Sequence, residues 1–375
     1  MSATTPDLMP YSMSDRGNLP RALLGLLMVA ATLGALTFGL FFLRDAQAGT
    51  GAHLSPVIIV VLAIIWGVGG VALLFTTANY FVSQLAAVWS RRLQPLIFVG
   101  PALLMLTWAL VLPTFRTFYY SLFDANSVKF VGLQNYVKVF ADPATLEVFR
   151  NNLLWMVFGT SFTVAIGLLI AVLADRSRFE TIAKSLIFLP MAISFVGAGV
   201  IWNFVYAVRP AGEPQIGLLN AIWVALGRAP VAWTAFSPPW NNFFLIVIVI
   251  WLQVGYSMVL FSAAIKGIPE EILEAARIDG ANETQIFFQI MIPLIRATII
   301  TVSTTVVVFS LKIFDVVWIM TGGEYSTGVI ATEFYRQYFT YNSNGIGSAL
   351  AMILLICVAP VMAYNLRQFA RREVF

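Results

Sequence analysis

The sequence is short of almost everything a soluble enzyme relies on. It has one cysteine, Cys357, in 375 residues, so no disulfide can form within the chain. It has one histidine, His53, which excludes a histidine-built zinc centre. No G-x-x-x-x-G-K-[ST] phosphate loop occurs, so ATP is not held by that device. No cluster of nucleophile, base and electrophile is visible, which argues against a membrane-embedded enzyme. Charged residues make up only 11%, against roughly 25% in soluble domains. The net charge of +4 fits lysines and arginines flanking membrane spans better than a nucleic-acid surface.

What the sequence does have is apolar length. It is 59% hydrophobic, with a mean hydropathy of +0.85, the composition of an all-α polytopic membrane protein. Runs near the ~20 residues needed to cross a bilayer are expected at 22–43, 56–78, 96–115, 153–174, 186–208, 243–265, 297–320 and 348–366, giving about eight transmembrane helices. The first run outlasts the ~7–15 residues of a signal-peptide core, so it reads as an uncleaved span, although Ala46-Gln47-Ala48 has the form of a cleavage site. Met1–Leu19 is polar and expected to be mobile. No repeat of 20–50 residues is visible.

Basic residues orient the spans. With the N-terminus inside, thirteen of the 22 Lys and Arg residues fall on the inner side, eight on the outer side, and Lys312 lies within a span. Both termini are then cytoplasmic, as is the segment 268–293.

That segment is the longest polar, helix-forming passage between two strongly apolar runs. Pro269 suits the first position of a helix. Glu270, Glu271 and Glu274 place acid toward its positive end. Ile272, Ala275, Ala276 and Ile278 give a small apolar face. Gly280 permits the left-handed residue that commonly ends a helix. Asn282 can cap a second short helix carrying Ile286, Phe287 and Ile290 at helical spacing, and Pro293 interrupts the chain before the next apolar run. These residues by themselves also describe an ordinary interfacial hairpin between two spans.

The spacing Glu274-Ala275-Ala276, three residues including Asp279, Gly280, nine residues, Ile290, one residue, Ile292-Pro293 resembles the EAA loop of binding-protein-dependent ABC importer permeases, with Ile292 where leucine is usual. In that family the loop docks on a separate cytoplasmic ATPase. The resemblance implies coupling roles for Glu274, Ala275, Ala276, Asp279, Gly280 and Pro293. Residues 101–124, 130–136, 185–194 and 311–323 resemble sugar permeases of the maltose-transporter type, and the general look is closest to alpha-glucoside permeases. Amino-acid and phosphate permeases share the loop but not these segments. The resemblance implies a type I ABC importer permease fold. Residues 93–375 would form a six-helix core, and 1–92 a tail with two additional spans. It implies as partners a second permease subunit, an ATPase dimer carrying ATP and Mg, and a periplasmic or lipid-anchored sugar-binding protein. No cofactor is implied in this chain, no nucleic acid is involved, and the setting is the bilayer of a bacterial inner membrane.

Polar residues at membrane depth are costly and mark candidate pathways. Gln253, Tyr256 and Ser257 occur together in the sixth run, and Phe309 and Ser310 in the seventh. Tyr256, Phe309 and Ser310 match sugar-contacting positions of the maltose type. Hydroxyls, an amide and aromatic faces suit a sugar, but Ser and Gln also hold helices together. Lys312 and Asp315, three apart, can neutralise each other. The several asparagines of the maltose type's seventh helix are missing. An ion-coupled secondary transporter would need a relay of carboxylates, and Asp315 is the main acid at this depth. Pro113, Pro190 and Pro360 interrupt apolar runs and can kink helices. Trp223, Trp233 and Trp240 suit a segment resting at the membrane interface or meeting a binding protein.

Overall fold

Apolar runs that must satisfy their own backbone in lipid fold as helices, and the computed structural model is helical apart from loops and an isolated bridge between Phe123 and Phe130. The structure describes residues 17–49, 54–175 and 177–372. His53 and most of the tail expected to be mobile, 1–16, therefore lie outside the described residues. The helices are α1 (Leu19–Gln47), α2 (Pro56–Ser83), α3 (Ala87–Ser121), α4 (Gln134–Ala141), α5 (Pro143–Asp175), α6 (Glu180–Phe188), α7 (Phe195–Val205), α8 (Leu218–Ala225), α9 (Trp240–Lys266), α10 (Glu270–Ile278), α11 (Glu283–Leu294), α12 (Arg296–Leu311), α13 (Asp315–Thr321), α14 (Ile330–Tyr335) and α15 (Asn344–Arg372). Among the described residues six helices are long and apolar enough to cross a membrane, and up to eight spans result if each of two bent pairs counts as one.

The chain divides into two compact units at Thr114/Phe115, inside α3. In the first, α1 and α2 pair along small residues. Gly25, Thr32, Gly39 and Ala46, seven residues apart, are buried on α1, and Gly70 and Thr77 on α2. A Cβ on Gly39 would lie 2.2 Å from the Trp66 ring, and one on Gly70 2.2 Å from the Leu36 side chain. Close backbone approach of this kind is how helices associate in lipid, where neighbours gain van der Waals contact rather than hydrophobic burial.

In the second unit α9 is the central post. Leu245, Ile248, Val249, Leu252, Met258 and Phe261 along it are all buried. It meets α5 where a Cβ on Gly167 would lie 2.6 Å from Cβ of Ser257, and α6 where a Cβ on Gly255 would lie 2.6 Å from the Ile187 carbonyl oxygen.

Two expected spans are not single helices. The run 186–208 breaks after Phe188: Leu189–Ala192 is a tight turn of 3₁₀ helix with Pro190 as its second residue, Ile193 is extended, and α7 restarts behind Ser194. Ser194 Oγ accepts the Gly197 N–H at 3.0 Å, and the two helical arms cross at 103°. The run 297–320 ends its helix at Leu311 and restarts at Asp315, with Phe314 at φ −137°, ψ −59° between them. Lys312 and Asp315 are thus not neighbours on one helical face, and among the described residues no ion pair joins them. The three tryptophans are placed unequally. Trp233 is buried, Trp223 packs edge-on against it with centroids 5.5 Å apart, and Trp240 alone of the three is largely exposed.

Candidate functional site: a rigid helical loop and a polar face

Pro269 has φ −56° and ψ 131°. It precedes the first turn of α10 rather than occupying it, because an extended ψ keeps it outside the helix. Glu270 and Glu271 open the helix and Arg277 closes it, each sign facing the favourable end of the helix dipole. The other end is closed by backbone geometry. Gly280 has φ +87°, its N–H donates to the Arg277 carbonyl at 3.1 Å, and the Ala281 N–H donates to the Ala276 carbonyl at 3.0 Å. This pair of bonds is a Schellman motif, with Gly280 at the left-handed position. The second helix starts with a full capping box. Asn282 Oδ1 accepts the Gln285 N–H, and Gln285 Oε1 accepts the Asn282 N–H, both at 2.9 Å. Arg277 Nε donates to Glu283 Oε1 at 3.1 Å across the turn; both side chains are about half exposed, so the pair contributes at most ~1 kcal/mol.

The apolar face lies elsewhere than the sequence spacing indicates. Ala276 is buried, with Leu273 and Ala281 packed beside it, against Ile286, Met291, Ile265 and Ile268. Ile272 and Ile278 are exposed, Ile278 by 86%. Only Ala276 of the expected four faces inward, because Leu273 and Ala276, three apart, define the face turned to α11. Glu274, Ala275, Asp279 and Gly280 stay on the outer surface, and Pro293 is exposed in α11. A small internal core thus braces a helix whose opposite side offers carboxylates and alanine.

At membrane depth, Gln253 and Tyr256 are half-buried, one turn apart on α9. Among the described residues neither side chain hydrogen-bonds to the rest of the chain, so both remain available to a solute. Phe309 is half-buried and packs on Phe195 with centroids 4.8 Å apart. Ser310 and Ser257 are different: both are fully buried with unpaired hydroxyls. Ser310 Oγ lies 3.5 Å from where a Cβ on Gly159 would sit, and Ser257 packs on Gly167. Their side chains fill helix contacts rather than reach an open surface.

The sequence reading missed an asparagine box at the far end of α9. Asn151 Nδ2 donates to the carbonyls of Ser326 (2.8 Å) and Gly328 (2.9 Å). Asn241 donates to the Tyr325 carbonyl, and Asn242 to that of Ser326. Asn152 accepts the Ile330 N–H at 2.6 Å. The box holds Tyr325 and Ser326 at φ 57° and 59°, a left-handed conformation that costs about 1–3 kcal/mol per residue and persists only where surroundings enforce it. Below the box, Glu147, Glu324, Glu333 and Arg336 line a polar cleft. Paired asparagines at the starts of two apolar runs were the available signal.

Comparison with known proteins places this geometry. Residues 163–372 match the family "Binding-protein-dependent transport system inner membrane component". The chain is 57% identical over 277 residues to the osmoprotective compounds uptake permease protein GgtC of Synechocystis, covering 74% of this chain and 99% of that one. It is 47% identical over 297 residues to the alpha-glucoside transport system permease protein AglF of Rhizobium meliloti, covering 77% and 88%. A crystal structure of a bacterial alginate ABC transporter in complex with an alginate pentasaccharide-bound periplasmic protein contains a chain of like fold, with a TM-score of 0.63 at 20% identity, covering 73% of this chain and 93% of that one. The chain is a multi-pass membrane transport subunit and belongs to the family of inner membrane components of binding-protein-dependent transport systems.

Proposed function

We propose that this chain is one of two permease subunits of an ATP-driven sugar importer, and that it couples to a separate ATPase dimer through α10. The observation that carries the reading is the helix itself: closed at Gly280, braced from inside by Ala276, and presenting Glu270, Glu271, Glu274 and Ala275 outward. A rigid projection transmits movement only when a partner grips it. The ATPase would carry ATP and Mg, leaving this chain without a cofactor. A periplasmic or lipid-anchored binding protein would deliver the solute. Both termini and α10 lie on the cytoplasmic side in this reading, which the distribution of Lys and Arg supports.

The solute pathway is assigned to Gln253, Tyr256 and Phe309. A half-open amide, phenol and ring suit the hydroxyl rim and flat face of a sugar. The relative named for alpha-glucoside transport supports a small alpha-glucoside; the one named for osmoprotective compounds favours that solute class as a second reading. Uptake by the reconstituted complex, competed with alpha-glucosides and with osmoprotective solutes, tests this. Competition by alpha-glucosides alone supports the first reading; competition by osmoprotective solutes alone supports the second; no sugar-dependent uptake contradicts the sugar assignment.

A further inference from the structure

Next to α10, three helix ends are held together by charge. Asp175 is the last residue of α5, Glu180 and Lys184 lie one turn apart on α6, and Ser262 and Lys266 lie one turn apart at the end of α9. Lys184 Nζ donates to Asp175 Oδ1, to Glu180 Oε1 at 2.6 Å and to Ser262 Oγ. Ser262 Oγ in turn donates to Asp175 Oδ1 at 2.7 Å, and Lys266 donates to Glu180. Two ammonium groups thus meet two carboxylates. The Lys184 and Asp175 side chains are only 17% and 12% exposed. This is a partly buried network, in which removing one member leaves the others uncompensated.

Its position gives it a consequence. α10 begins four residues after Lys266, across Gly267, Ile268 and Pro269. Ile265, near the end of α9, and Ile268, within that junction, pack in the core that braces α10. The same helix α9 carries Gln253 and Tyr256. Movement imposed on α10 reaches that face only if the foot of α9 moves as one block with its neighbours. A loose foot would absorb the movement at Gly267.

We propose that Lys184 is a positioning residue for coupling: it locks the ends of α5, α6 and α9 into one block, so that displacement of α10 is passed to the solute-facing part of α9. This rests on the functional reading above. The test uses the complete transporter in proteoliposomes, comparing wild type with Lys184→Met, Lys184→Arg and Ser262→Ala. ATPase retention, basal hydrolysis and solute moved per ATP are measured together. Lys184→Met should retain the ATPase and hydrolyse ATP, while solute moved per ATP falls about tenfold, within the range of coupling free energies. Lys184→Arg, which keeps the charge, should recover most of that ratio. Ser262→Ala, which removes the bonds from α9 to Lys184 and Asp175 and leaves the Lys266–Glu180 bond, should lower it by a smaller factor. An unchanged ratio in Lys184→Met overturns the proposal. If Lys184→Met does not assemble, Ser262→Ala combined with Lys266→Met, which removes both links from α9 to the network, decides alone, and a wild-type ratio there overturns it equally. A wild-type complex lacking solute-dependent hydrolysis would instead contradict the importer reading itself.

Discussion

The Ala281 N–H donates to the Ala276 carbonyl at 3.0 Å, and that bond ends α10 by folding the chain back over its own small core. Gly280 makes the bond possible with φ +87°, and a Cβ there would meet nothing within 4 Å. Substitution is therefore opposed by backbone conformation alone, not by a clash. Gly280→Val should cost about 1–2 kcal/mol at this turn, and Gly280→Asn less, since asparagine tolerates the left-handed region. Co-purification of the ATPase should follow the order glycine, asparagine, valine; equal recovery from all three would contradict the rigid-turn argument.

Tyr256 and Ser310, both expected from the sequence to line the pathway, separate in experiment. Tyr256→Phe removes a half-open phenol and should weaken transport by the equivalent of about 1 kcal/mol per lost hydrogen bond. Ser310→Ala removes a buried, unpaired hydroxyl and should leave uptake near wild type, with stability unchanged or raised. Uptake kinetics and thermal melting of the same preparations report both. A transport defect confined to Ser310→Ala would reverse the assignment.

Replacing Asn151 by leucine removes the donor to the Gly328 carbonyl and one of the two donors to that of Ser326, while keeping the number and branching of side-chain heavy atoms. The loss should be about 1–3 kcal/mol for each buried group left without a partner, with release of the strained Tyr325–Ser326 turn. A lower melting temperature together with faster proteolysis at 322–329 is expected; an unchanged melting curve would show that the box holds nothing.

Within the first unit, Gly39→Leu should break the α1–α2 seam, since its first side-chain carbon would already lie 2.2 Å from the Trp66 ring. A Cβ on Gly34 of the same helix meets nothing within 4 Å, so Gly34→Leu serves as the control. Proximity of α1 and α2, read by cysteine cross-linking, should fall in the first variant and persist in the second.

Much of this was legible from residue order because its causes are local. Apolar length gave the spans, and the spacing from Pro269 to Pro293 gave the paired short helices, Gly280 and the Asn282 cap included. The breaks at Ile193 and Lys312 were not legible, since a continuous apolar run looks the same whether its helix bends or not. The inward face of α10 was misjudged because Ile272 and Ile278 outrank Ala276 in hydrophobicity, while the partners that decide the matter, Ile286 and Met291, lie on another helix. The asparagine box depends on backbone carbonyls 175 and 177 residues away from Asn151, which no local pattern announces. Together the box and the Lys184 network pin the two ends of α9, a helix of 27 residues and so about 40 Å long.

The central claim is that the outer face of α10 is gripped by an ATPase, and Ala275→Arg tests it most directly. Ala275 is exposed and lies beside Glu274, so arginine can be accommodated by the chain itself and should leave folding and membrane insertion intact. Pull-down of the ATPase with the tagged transporter, followed by uptake, should show the complex weakened and transport lost. Full ATPase association with wild-type uptake in Ala275→Arg would contradict the account.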